Sequence, residues 1–248
     1  MFGFFARVFE RTLRNGSQCV RIARRPDPAV LQTPRLVVYT NHPSWWDGTV
    51  FMFVAHRLLQ GRRVFTPVDA AMMERYRFFS KIGAFGVTQT RALQGARAYR
   101  ACAKAVLDDP SNALIIAAQD RFADPRERPL GLAPGLSHLR DLAPGITYLP
   151  LAIEYAFRDE RRPQVLLRFG DPLRDDEREP RRTFSQRLER QLTATMDGLA
   201  QDVVARNDSA FETVLSGNLG INPVYDSWRR LRAALRGERF QAGHGHRP

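Results

Sequence analysis

The stretch TNHPSWWDG, residues 40–48, follows the apolar run RLVVY and holds the side chains of this chain best suited to chemistry. An imidazole titrates near neutral pH. A carboxylate bonded to one of its ring nitrogens selects the tautomer and leaves the other nitrogen as a base. His42 and Asp47 are the candidates. Five residues apart on one helix they would lie about 140° apart, on different faces. They can meet only if His42 precedes the helix, in the turn leaving a strand, and Asp47 reaches back from the first helical turn. Pro43 favours this, because it holds the residue before it in extended conformations and is itself tolerated at a helix start. Such a pair would activate a hydroxyl or a water. Ser44 and Asp47 also fit a capping box, Ser-x-x-Asp, in which the helix dipole favours the carboxylate and His42 is an ordinary corner residue. The stretch alone leaves both readings open.

The surrounding elements must place this corner. RLVVYT reads as a buried strand, and Trp45 to Leu59 reads as a helix closed by Gly61. Its apolar VFMFVA face reads most simply as core, with an acyl-lining wall as the alternative, and Trp45 and Trp46 divide in the same way. RRVFTPV and NALIIAA read as strands, AAMMERYRFFSKIG and GARAYRACAKAVLDDP as helices, and AFGVTQTR as a strand or turn. QDRFADPRERPLGLAPG is a long polar loop, followed by a short helix in LSHLRDLAPG. The strands ITYLPLAIEYAF and QVLLRFGDPL and a helix in TFSQRLERQLTATMDGLAQDVVARN complete the pattern. Alternating strands and helices imply an α/β fold, a layered mixed sheet flanked by helices. The division expected is an amphipathic N-terminal helix over 1–24, a central domain over 25–206 and a basic amphipathic tail over 207–248.

The chain has 248 residues, 44% hydrophobic and 26% charged, enough for one sizeable core. Cys19 and Cys102 match no metal or redox spacing and read as reduced thiols; no metal is expected. The formal net charge is +12, nearly all of it arginine, since Lys81 and Lys104 are the only lysines. Such a surface favours anionic headgroups, phosphorylated cofactors or acidic carrier proteins. Nucleic acid is not expected, because zinc spacing, a Gly-aromatic RNA signature and an isolated basic tract are all missing. The N-terminal MFGFFARVFERTLRNG has its apolar residues before its arginines, the reverse of a secretion signal, and no apolar run reaches about 18 residues. Two basic amphipathic stripes stand out: Phe2, Phe5, Phe9 and Leu13 beside Arg7, Arg11 and Arg14, and Val224, Trp228, Leu231 and Leu235 beside Arg229, Arg230 and Arg232. Each suits either a membrane interface or packing on the core.

Four segments in order resemble the glycerolipid acyltransferase family, the lysophosphatidic acid acyltransferases and their relatives. TNHPSWWDG resembles the family's first motif, Asn-His-x4-Asp. KIGAFGVTQTR is similar to the second, with Gly83, Gly86 and Arg91 in register. APGLSHLRD resembles the short helix after the third motif. ITYLPLAIEY resembles the fourth, a strand carrying Pro150. The resemblance spans residues 35–156 and implies a glycerol-3-phosphate acyltransferase-like fold. It also implies transfer of a fatty acyl group from acyl-CoA or an acyl carrier protein to a lipid hydroxyl, with His42 as general base and Asp47 orienting it. No cofactor beyond that co-substrate is implied. The expected location is cytoplasmic, peripheral on the inner face of the cell membrane.

The third motif departs. Where the family has Phe-Pro-Glu-Gly-Thr-Arg, this chain places Ala118, Gln119 and Asp120 at the Pro, Glu and Gly positions. That motif and the second-motif Arg hold the acceptor's phosphate in the family. The substrate-binding residues implied here are Arg91, Gly86, Gln119, Arg121 and Arg128, with Arg126 beside them. The acceptor is a lysophospholipid, or a glycolipid or other lipid alcohol. Gln119 or nearby backbone N–H groups would serve the oxyanion. The alternatives are a His-Asp thioester hydrolase and a non-catalytic basic peripheral membrane protein.

Overall fold

The structure, a computed structural model, describes residues 2–88, 92–175, 179–218 and 232. It begins with helix α1 (Phe2–Gly16), strand β1 (Cys19–Arg24), the short helix α2 (Pro28–Leu31) and strand β2 (Leu36–Thr40). Helix α3 (Asp47–Arg57), strand β3 (Val64–Asp69), helix α4 (Ala70–Arg75), a 3-10 turn over Arg77–Ile82 and strand β4 (Ala84–Val87) follow. Next come helix α5 (Ala92–Asp108), strand β5 (Ala113–Ala117) and helix α6 (Pro134–Ser137), which runs into a 3-10 turn over His138–Asp141. Strands β6 (Thr147–Ala156), β7 (Gln164–Phe169) and β8 (Leu173–Arg174), helix α7 (Arg181–Val204) and strand β9 (Glu212–Ser216) close the chain.

The strands form one mixed sheet in the order β4-β3-β5-β2-β6-β7-β1-β9, with β8 pairing the start of β6. From β4 to β6 the strands are parallel; β7 runs antiparallel to β6, β1 parallel to β7 and β9 antiparallel to β1. All five residues of β2 are buried, as its unbroken apolar run requires of a parallel strand covered on both faces. On one face lie α1 and α3, with Val50, Phe53 and Val54 packed on Val38, Ile115 and Leu151. On the other lie α5, α6 and α7, with Leu107, Leu136, Phe184 and Leu188 packed on Val37, Ile116 and Tyr148. The VFMFVA segment is therefore core: Val50 to Ala55 are all buried.

Two expectations change, and one left open is decided. The helix expected over 1–24 stops at Gly16, and Cys19–Arg24 is a strand pairing β7. Residues 212–216, expected in a tail, form β9 against β1. Neither short strand carries a run long enough to announce itself; each is made by its neighbour in the sheet. The stripe of Phe2, Phe5, Phe9 and Leu13 turns inward. Leu13 is buried, Phe5 stacks on Phe78 at 5.4 Å, and Phe2 and Phe9 join the same cluster with Met52 and Ile82. Phe4 and Val8, one position off the stripe beside Arg7 and Arg11, stand exposed. The second stripe, 224–235, lies outside the described side chains apart from Arg232, as do residues 176–178.

Two features of the sheet bear on its carboxyl edge. After β2 the chain leaves to the α3 face, whereas after the neighbouring β5 it leaves to the α6 face. Neighbouring parallel strands whose connections part to opposite faces leave a crevice beyond their carboxyl ends, the usual ligand position in open α/β sheets. In addition, β3 pairs β5 only through Val64 and Phe65 and then departs with β4.

Candidate active site

The corner after β2 stands at that topological position, beyond the carboxyl ends of β2 and its neighbour β5. Asn41 ends the strand: its side chain accepts from Ile153 N–H at 2.9 Å and donates to Ile153 C=O at 2.9 Å, extending the β2–β6 ladder by side-chain bonds. His42 comes next, before the helix. Its N–H donates to Gln119 Oε1 at 3.1 Å, and its carbonyl accepts from Ala123 N–H at 3.0 Å. The loop after β5 thus grips His42. The Phe122 ring lies 4.5 Å from the imidazole ring, centre to centre, and is largely exposed.

Asp47, at the first position of α3, is fully buried. Its Oδ2 lies 2.6 Å from His42 Nδ1 and accepts from Ser44 N–H at 3.2 Å. Its Oδ1 accepts from the Tyr155 hydroxyl at 2.6 Å. Among the described residues its ion-pair partner is His42 alone. The two side chains meet as the turn geometry requires, and the helix's N-cap residue, Trp46, has no side-chain cap bond. Asp47 does reach back to the Ser44 N–H in the manner of a capping box, while Ser44 Oγ accepts from Trp46 N–H at 3.2 Å and not from Asp47 N–H. Because a carboxylate can only accept, the shared proton on this contact sits on Nδ1, and Nε2 is left as the basic nitrogen. Nε2 has no partner among the described residues, and the His42 side chain is 23% exposed.

No protein-family model matches this chain, and no curated protein matches it in sequence. Its fold does resemble a solved structure. The similar structure is the 1-acyl-sn-glycerophosphate (LPA) acyltransferase PlsC from Thermotoga maritima, with a TM-score of 0.54 over 80% of this chain and 81% of that one. At 11% identity the likeness is one of fold, a mixed α/β sheet flanked by helices.

The other expected site residues are spread more widely. Gln119 is buried and held at both ends of its amide, Oε1 by His42 N–H and Nε2 by the Leu130 carbonyl at 3.0 Å, so it braces the corner. Arg121 pairs with Glu127, Arg126 with Asp124 and Arg128 with Asp197 on α7. Gly86 lies on β4, three strands from β2 in the sheet order and beyond the point where β3 and β4 leave β5. A Cβ there would come 3.3 Å from Ala70 Cα, so it lets α4 pack closely. Gly83 caps the preceding turn at φ 91°, where a Cβ would stand 2.2 Å from the Val64 carbonyl oxygen. Arg91 lies outside the described residues. Asp120 adopts φ 53°, the left-handed region that glycine enters freely and aspartate tolerates. Trp46 packs on the core, and Trp45 is 69% exposed.

Sequence reasoning missed Asn41, Phe122 and Tyr155 as parts of the corner. Asn41 was adjacent to His42 and offered a signal: a polar amide at the end of a buried strand must find partners. Phe122 and Tyr155 offered none, since only the sheet order brings β5, β2 and β6 side by side.

Proposed function

We propose that this protein is an O-acyltransferase that moves a fatty acyl group from a thioester donor, acyl-CoA or an acyl carrier protein, to a hydroxyl of a lipid. The observation carrying this reading is the His42–Asp47 pair, with a buried carboxylate on Nδ1 and an Nε2 that has no partner among the described residues. The acceptor hydroxyl gives its proton to Nε2 as its oxygen attacks the thioester carbonyl. Asp47 stabilises the imidazolium that forms. The tetrahedral intermediate collapses, the C–S bond breaks, and the proton passes from Nε2 to the leaving sulfur. The products are an ester and a thiol, with charge and protons balanced. Ser44 need not act as nucleophile, and its hydroxyl is engaged with Trp46 N–H. Support from the comparison is limited to fold: the similar structure is that of an enzyme acylating a glycerophosphate.

For the acceptor we favour a neutral alcohol, a glycolipid or another lipid alcohol, over a lysophospholipid. The arginines expected to receive a phosphate, Arg121 and Arg128, each sit on a carboxylate, and the group facing His42 is the phenyl ring of Phe122. The donor's phosphates, or an acidic carrier, suit the net charge of +12. We also place the protein on an anionic membrane surface, with Phe4, Val8, Arg7 and Arg11 of α1 facing it.

The test is release of free thiol from palmitoyl-CoA in the presence of lysophosphatidic acid, a glycosylated lipid alcohol or a long-chain alcohol, with ester product identified by mass. Acyl transfer to a neutral alcohol that falls by about 10²- to 10⁴-fold in His42→Ala is the expected result. Full transfer by a folded His42→Ala chain overturns the mechanism. Efficient transfer to lysophosphatidic acid, lost on Arg121→Ala, overturns the choice of acceptor. Thiol release equal with and without any alcohol would make the enzyme a hydrolase.

A further inference from the structure

Asp47 is a fully buried carboxylate with no arginine or lysine paired to it among the described residues. Burying such a charge is costly unless its oxygens are hydrogen-bonded. Oδ2 receives two donors, His42 Nδ1–H and Ser44 N–H, from the corner itself. Oδ1 receives the Tyr155 hydroxyl at 2.6 Å, from a strand more than 100 residues further along the chain. A phenylalanine would fill the same place against the apolar core cluster without burying a hydroxyl, so the oxygen matters through its recorded partner, Asp47.

The placement has a second half. Asn41, next to His42, is bonded to the main chain of Ile153, and Asp47 is bonded to the side chain of Tyr155. Ile153 and Tyr155 are alternate residues of β6 and share a face, about 7 Å apart. One rigid strand therefore holds both ends of the His-x4-Asp corner. An arginine on Oδ1 would neutralise the carboxylate and weaken its hold on an imidazolium; a neutral phenol orients it and leaves the charge for His42. Burial, and Asp47 beside it, push the Tyr155 phenol well above its ordinary range, so it stays a neutral donor at any working pH.

We infer that Tyr155 is a positioning residue for the His42–Asp47 pair, holding the carboxylate so that Oδ2 faces Nδ1 and the imidazole keeps its proton there. This rests on the general-base reading above, but its principal test does not need turnover. The chain has five histidines. With 15N-labelled histidine, multiple-bond 15N–1H spectra report the tautomer of each neutral ring, and loss of one pattern in His42→Ala assigns His42. The wild type is expected to hold His42 as the Nδ1–H tautomer. In Tyr155→Phe, where Asp47 can rotate, the His42 pattern moves to a mixture of the two tautomers. A chain carrying 3-fluorotyrosine at 155 keeps the ring and the hydroxyl and retains the wild-type pattern. With palmitoyl-CoA and the alcohol turned over, kcat falls about 10- to 100-fold in Tyr155→Phe, the scale of one hydrogen bond to a charged group, while KM is unchanged.

An unchanged His42 tautomer in folded Tyr155→Phe overturns the inference. So does a Tyr155→Phe chain that fails to fold, which would mark the hydroxyl as purely structural. A His42→Ala chain with full activity overturns the general-base reading, and the tautomer spectra still judge Tyr155 separately.

Discussion

At the scale of residues, the chemistry rests on one carboxylate that serves three donors. Asp47→Asn tests this. The amide has one accepting oxygen where the carboxylate has two, so it cannot receive both the Tyr155 hydroxyl and His42 Nδ1–H. With its NH2 turned toward His42, the amide forces Nδ1 to accept and moves the ring proton to Nε2, where a base is needed. We expect kcat to fall about 10²- to 10⁴-fold with KM little changed, measured by thiol release from palmitoyl-CoA with a lipid alcohol. A lowered Tm with undiminished kcat would show that Asp47 serves the helix start alone.

At the scale of elements, helix α1 is held to α3 by an aromatic cluster and by one carboxylate. Glu10 accepts from Arg57 Nε at 2.9 Å and Nη2 at 2.8 Å, and from Arg14 at 3.2 Å. Its side chain is 13% exposed. The Arg57 hydrogen bonds, and then the charges of Arg57 and Arg14, outweigh burial and hold its carboxyl below the ordinary range. A depressed folded value stabilises the fold above the unfolded value of about 4.3, and that contribution is lost as pH falls through the folded value. Glu10→Gln should therefore lower Tm at neutral pH, by about 1 kcal/mol of stability, with the gap to wild type closing in acid. Thermal melts at pH 7 and pH 3 check it; a gap of equal size at both would show that Glu10 acts by packing.

At the scale of the whole molecule, a basic surface and one exposed apolar strip on α1 point the same way. Packing turns Phe2, Phe5 and Phe9 toward a cluster with Met52 and Ile82 and leaves Phe4 and Val8 outward with Arg7 and Arg11. No helix of the described residues is long and apolar enough to cross a bilayer. The protein should sediment with vesicles of phosphatidylglycerol more than with phosphatidylcholine, and salt should weaken this, since each arginine near an anionic surface contributes about 1 kcal/mol. Phe4→Asp should reduce binding without changing Tm, because its ring is 60% exposed. Binding indifferent to salt, to lipid charge and to Phe4→Asp would remove α1 from the interface.

The sequence by itself determined whatever depends on local order. The α/β alternation, the strands β2, β5, β6 and β7, and the position of His42 between a strand and a helix all follow from periodicity and from Pro43, which act within a few residues. The approach of Asp47 to His42 was legible too, because the turn geometry allows one way for them to meet. What pairs with what was decided by tertiary structure. Strands β1 and β9 exist because β7 and β1 offer them an edge, and their own residues carry no distinct signal. Gln119 looked free to meet a substrate until the loop after β5 closed it onto His42 and Leu130. Arg128 meets its carboxylate, Asp197, only because α7 packs beside the loop after β5. Tyr155 looked like one more aromatic of a strand. Its hydroxyl reaches Asp47 because β6 lies beside β2, and a strand order assembled from residues more than 100 positions apart is a matter of long-range packing, which no local pattern encodes.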